Sequence, residues 1–103
     1  MIVWYVYIVS NNAHTLYTGM TNDLTDRVRQ HKEGMYKNAF TARYTFDRLV
    51  WFELQPTKNA AAKRERQIKV WTRAKRVALI QEMNPNWIDL HRTWSAISRQ
   101  MLR

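Results

Sequence analysis

Residues 6–9, "VYIV", and 16–19, "LYTG", are two short runs separated by the polar stretch "SNNAHT" (10–15). β-branched and aromatic residues favour extended backbone, and turn formers between two such runs predict a hairpin. Extending the first run to "IVWYVYIV" (2–9) sets Trp4, Val6 and Ile8 on one face and Tyr5, Tyr7 and Val9 on the other, because strand side chains alternate. Tyr7 and Tyr17 thus fall on paired strands, where valine or isoleucine would fill a core without a hydroxyl to satisfy.

Outward from the hairpin, "TNDLTDRVRQHKEG" (21–34) predicts a helix, with Thr21 or Asn22 as cap, acids in its first turn and Gly34 as stop. A polar loop (35–47) leads to a third strand, "RLVWFEL" (48–54), closed by Pro56. "TKNAAAKRERQIKVW" (57–71) is rich in alanine and long straight side chains, so it predicts a helix capped by Thr57. A further short helix is expected over 72–83, before Asn84-Pro85. Leu90, Trp94, Ile97 and Met101 form one apolar stripe of a terminal helix. The expected class is α+β, with a domain over 1–90 and residues 91–103 as an amphipathic helix packed on it.

Composition narrows the function. Among 103 residues, 17 Lys and Arg stand against 8 Asp and Glu, a net charge of +9. Such an excess points to a polyanionic partner, since neutralised phosphates release counterions. A membrane is the rival polyanion, but no apolar stretch approaches 18 residues and no lipidation signal is present. No signal-peptide pattern opens the chain, and there is no cysteine, which excludes disulfides and thiolate metal sites. The expectation is a cytoplasmic protein that binds nucleic acid and no membrane.

Leu24, Arg27, Val28 and His31 share one helical face, so two basic groups interrupt a stripe that should be apolar. The bland alternative places both at its edge, reaching water. Ala61, Glu65 and Ile68 make a similar stripe with a carboxylate in it, whose bland reading is a surface ion pair with Arg64 or Arg66. Together, two phenols, a guanidinium, an imidazole and one acid suit phosphodiester hydrolysis: an oxygen base for water, a cation for the phosphate oxygens, and a carboxylate for a divalent ion. They converge only if both helices pack on the same sheet.

In order and approximate spacing, Tyr5-Val6-Tyr7, Tyr17-Thr18-Gly19, Arg27 with His31, and Glu65 resemble the motif series of the GIY-YIG nuclease superfamily. "LYTGMTNDLTDRVRQH", "KRERQIKVWTRAKRVALI" and "NPNWIDL" look most like its small stand-alone bacterial members. The resemblance implies a small three-stranded antiparallel sheet flanked by helices, and cleavage of nucleic acid with one divalent ion, Mg2+ or Mn2+. Matched residue by residue, it makes Tyr7 the general base or water-positioning group and Tyr17 a second phenol lining the same pocket. It makes Arg27 the phosphate ligand, His31 the support of the tyrosine hydroxyl network, and Glu65 the sole protein ligand of the metal. Tyr5 stands where the family name has glycine, and Thr18 where it has isoleucine. Neither Asn84 nor Asn86 is a secure match to the late asparagine of many family nucleases.

Lys63, Arg64, Lys69 and Arg73 are candidate backbone-binding cations on the second helix pair, alongside Arg27. Trp4, Trp51, Trp71, Trp87 and Trp94 are assigned to packing, and Trp71 and Phe46 could alternatively stack on unpaired bases. Two functions follow: a metal-dependent endonuclease of little sequence specificity, acting on DNA in preference to RNA, or a non-catalytic nucleic-acid-binding module on the same fold that works with a partner protein.

Overall fold

The computed structural model describes residues 2–34 and 46–93. Its strands, β1 (Trp4–Ser10), β2 (Leu16–Thr21) and β3 (Arg48–Gln55), form one antiparallel sheet in the order β2-β1-β3. The helices are α1 (Leu24–Lys32), α2 (Lys58–Lys69) and α3 (Arg73–Met83), and residues 90–93 are helical again. The α+β class and the three-stranded sheet are as expected. Trp94, Ile97 and Met101 of the terminal stripe, and most of the loop before β3, lie outside the described residues.

Caps set the helix starts. Thr57 and Thr72 accept from the backbone N–H groups of Ala60 and Lys75, as N-cap hydroxyls do. For α1 the expected cap is corrected: Thr21 is the last residue of β2, and the Asp23 carboxylate accepts from the Asp26 N–H. Thr21 instead stabilises the turn before the helix, its hydroxyl accepting from the Asp23 N–H. Gly34 follows the C-cap at φ +70°, the left-handed conformation that stops a helix.

The sheet separates two apolar layers. On one face Val6, Ile8 and Leu16 pack with Ala61 and Ile68 of α2 and Ile80 of α3; on the other Tyr7 and Val9 pack with Val28 of α1, Phe46 and Leu49. The division follows the alternation in β1. In β3 the alternation breaks, because Ile8 pairs with Trp51 while Val9 pairs with Leu49, leaving Val50 as the extra residue of a bulge. Val50 and Trp51 consequently both join the α2–α3 layer.

A bulged residue has a carbonyl outside the ladder, and here Asn84 satisfies it. Its Nδ2 donates to the Val50 carbonyl at 3.2 Å and to the Ile88 carbonyl at 2.7 Å, while its Oδ1 accepts from the Ile88 N–H. Asn84 is 3 % exposed. This late asparagine braces the chain after α3 against the sheet. Asp89 acts similarly, accepting from the backbone N–H of Leu49 and from Lys32 Nζ.

Candidate active site

The centre of the α1 face is a hydrogen bond inside the core. Tyr7 Oη lies 3.0 Å from His31 Nε2; Tyr7 is fully buried and His31 is 3 % exposed. The edge reading of His31 therefore gives way to a core histidine. Tyr7 can hold its ring there because the residue opposite it in β2 is Gly19. A Cβ on Gly19 would sit 2.5 Å from the Tyr7 hydroxyl oxygen, so any side chain would push the phenol off the imidazole. Glycine within a strand marks such a close approach.

Tyr17 is half-buried beside this pair, its ring centroid 5.2 Å from that of His31 and 6.0 Å from that of Phe46. Phe46 is a core residue, 1 % exposed. Arg27 sits half-buried on α1, one turn before His31. Burial, and then the nearby Arg27 guanidinium, push the His31 pKa down to about 4. At neutral pH the ring is uncharged, and a neutral imidazole with an unprotonated Nε2 accepts the phenol's proton.

This buried imidazole has a consequence for stability. In the unfolded chain its pKa is about 6.5, so between roughly pH 6.5 and 4 the unfolded state binds more protons and stability falls as pH falls. The loss should approach 3 kcal/mol and level off below about pH 4. Urea titrations across this range should show that slope, and His31→Phe should remove most of it. A residue of slope should survive, because burial and then Lys32 also lower the pKa of His91.

Glu65 lies on the other layer. It is on the inner stripe of α2 between Ala61 and Ile68, its side chain 18 % exposed, and Lys69 Nζ pairs with it at 3.4 Å. The two helices do pack on one sheet, but from opposite faces. Because α2 crosses both β1 and the edge strand β2, the edge of β2 is the route by which one phosphate could meet groups from both layers. Among the described residues no three His, Asp or Glu side chains gather into a metal cage. A lone carboxylate is a donor set that suits Mg2+, which keeps waters and takes substrate phosphate oxygens as its other ligands.

The cations divide. Arg64 is committed to the fold: its Nε donates to Glu53 at 2.9 Å and its guanidinium lies over the Trp71 ring, which Lys75 also covers. Trp71 itself packs against the α2–α3 core. Lys63, Lys69 and Arg73 are exposed on the α2–α3 surface. The braces Asn84 and Asp89 escape sequence reasoning as structural elements, since the partners that tie them to the sheet and to α1 are 34 to 57 residues away.

Comparison with known proteins identifies the family. A model of the GIY-YIG catalytic domain matches residues 3–78. A UPF0213 protein of Haloquadratum walsbyi is 44 % identical over 82 residues, covering 76 % of this chain and 86 % of that protein. One from Staphylococcus aureus (strain Mu3) is 42 % identical over 82 residues, covering 76 % of this chain and 94 % of the other. The solution NMR structure of the UPF0213 protein BH0048 from Bacillus halodurans superposes with a TM-score of 0.54 at 29 % identity, over 84 % of this chain and 90 % of that one. The chain belongs to the GIY-YIG catalytic domain family, among its small UPF0213 proteins.

Proposed function

We propose that the protein is a metal-dependent endonuclease that hydrolyses phosphodiester bonds in nucleic acid, DNA in preference to RNA. The observation that carries this reading is the buried Tyr7–His31 hydrogen bond with Tyr17 and Arg27 beside it. A hydrophobic core gains nothing from a phenol and a histidine that could both be apolar; a proton relay needs both.

Burial distributes the roles. Tyr7, which no solvent reaches, is a positioning residue: with His31 it forms the inner end of a proton path. Tyr17, half-buried at the same cluster, is the phenol that meets the attacking water, and Arg27 binds the non-bridging phosphate oxygens. Glu65 would hold Mg2+ or Mn2+ once Lys69 yields its place. When bound, the ion supplies Lewis-acid stabilisation of the leaving oxygen. Among the described residues no element is shaped to read base edges, so the proposed specificity is low, and a protein partner would supply any that is needed.

The test is incubation of labelled single-stranded, nicked, branched and duplex DNA with Mg2+, Mn2+ or chelator. Cleavage that requires the ion is expected; binding with no cleavage of any substrate would favour the partner-dependent binding module instead. The α2–α3 surface has its own readout. Lys63 and Arg73 have no ion-pair partner among the described residues, so replacing both by Ala should reduce the salt slope of binding by about two units, near one per phosphate contact. An unchanged slope would mean that this surface faces away from the strand.

A further inference from the structure

A cavity of about 260 Å³ opens between the first turn of α1, the Tyr5 end of the sheet and the segment after α3. Tyr5, Leu24, Leu49, Phe52 and Leu54 give it apolar walls, and the rings of Tyr5 and Phe52 stand edge to face at 6.4 Å. It is smaller than the roughly 300–1,000 Å³ of drug-sized pockets, which suits a single ring system.

The polar wall of this cavity is Asn22, Asp23, Thr25 and His91; the Asp23 carboxylate is engaged in capping α1, and the neighbours of His91 fix its tautomer. Lys32 Nζ, held by Asp89, lies 3.3 Å from His91 Nδ1. An ammonium has only donors, so Nδ1 is the acceptor and the neutral ring carries its proton on Nε2. Burial and Lys32 keep the ring neutral. Nε2 is buried with no hydrogen-bond partner, the Thr25 carbonyl beside the ring failing to meet hydrogen-bond geometry. A buried N–H without an acceptor is costly, and a ligand carrying one would relieve it.

We infer that this cavity takes one unpaired nucleobase of a single-stranded nucleic acid, seated against the Tyr5 and Phe52 rings, with a base carbonyl or ring nitrogen accepting from His91 Nε2–H. The inference rests on the nucleic-acid reading above and deepens it. Tyr5 is two residues from Tyr7 on the same sheet face, and Leu24 lies one helical turn before Arg27. A strand whose phosphate meets Arg27 therefore has a neighbouring base at the cavity. The net charge of +9 draws the backbone in, and the ring walls hold a base of any sequence by stacking.

The test uses the full chain without divalent ion. Thymidine 5′-monophosphate should shift the NMR resonances of Leu24, Thr25, Phe52 and the His91 imidazole, and inorganic phosphate should not. An oligothymidylate should bind about tenfold or more tighter than an abasic strand of equal length and charge. His91→Leu should lose most of that difference while keeping the salt slope; the wild-type comparison decides the matter even if this variant does not fold. Equal affinity for the two strands, or identical shifts from nucleotide and phosphate, would overturn the inference. Ion-dependent cleavage alongside that result would leave the nuclease reading standing, whereas base-dependent shifts without cleavage would sink the nuclease reading alone.

Discussion

Tyr17→Phe is expected to reduce ion-dependent cleavage by about a hundredfold or more, the scale set by loss of a group that moves a proton in the transition state. Its melting temperature should barely change, because Tyr17 is half-buried and the ring that packs on His31 and Phe46 remains. Tyr7→Phe makes the contrast. It also removes one hydroxyl, but that hydroxyl is on a fully buried hydrogen bond, and His31 Nε2 loses its partner. A cost of about 1–3 kcal/mol follows, and a domain of this size should melt several degrees lower. The double variant should lose less activity than the product of the two single losses, since both phenols serve one proton path in the proposed mechanism. Full activity in Tyr17→Phe would show that the second phenol is a packing residue and remove the central role proposed for it.

Glu65→Gln is expected to abolish cleavage by orders of magnitude while nucleic-acid binding survives. The amide keeps the size and the helix preference of the carboxylate but not its charge, and a divalent ion has no other protein ligand in the proposed site. The pair with Lys69 is a half-exposed contact within one helix, so its loss should change stability by only a few tenths of a kcal/mol. Isothermal titration with Mn2+ separates the two effects, because wild type should take up the ion in the presence of a strand and Glu65→Gln should not. Retained turnover would place the ion on other groups.

Much of this molecule was legible in its sequence, for identifiable reasons. Alternation in 2–9 divided the two sheet faces correctly, because β1 is the central strand and both its faces are covered. Thr57 marked a helix start through a local hydrogen bond that needs no tertiary context. The misread cap of α1 was a competition between neighbours: Thr21 can cap a helix or end a strand, and pairing with Tyr5 decided it. The bulge at Val50 was not legible, since a run of apolar residues looks the same with or without a register shift. Nor was the placement of Glu65. Helical periodicity says which side of α2 is inward but not which face of the sheet it meets, and the crossover from β3 sends α2 to the face opposite α1.

That separation has an evolutionary consequence. Tyr7, Gly19 and His31 interlock inside a hydrophobic layer, where changing one alone leaves a buried polar partner unsatisfied, so folding slows their loss even though an apolar pair would fill the layer as well. Glu65 contributes little that folding would miss, and on the proposed reading only selection for cleavage retains it. The two halves of the chemistry therefore age at different rates in a lineage that stops cutting nucleic acid. Such lineages should lose the acid first and keep the phenol, the glycine and the imidazole as a fossil of the activity. A relative carrying Tyr7, Gly19 and His31 but no carboxylate at position 65 is expected to be a stable, strand-binding protein in which a single substitution to Glu restores ion uptake.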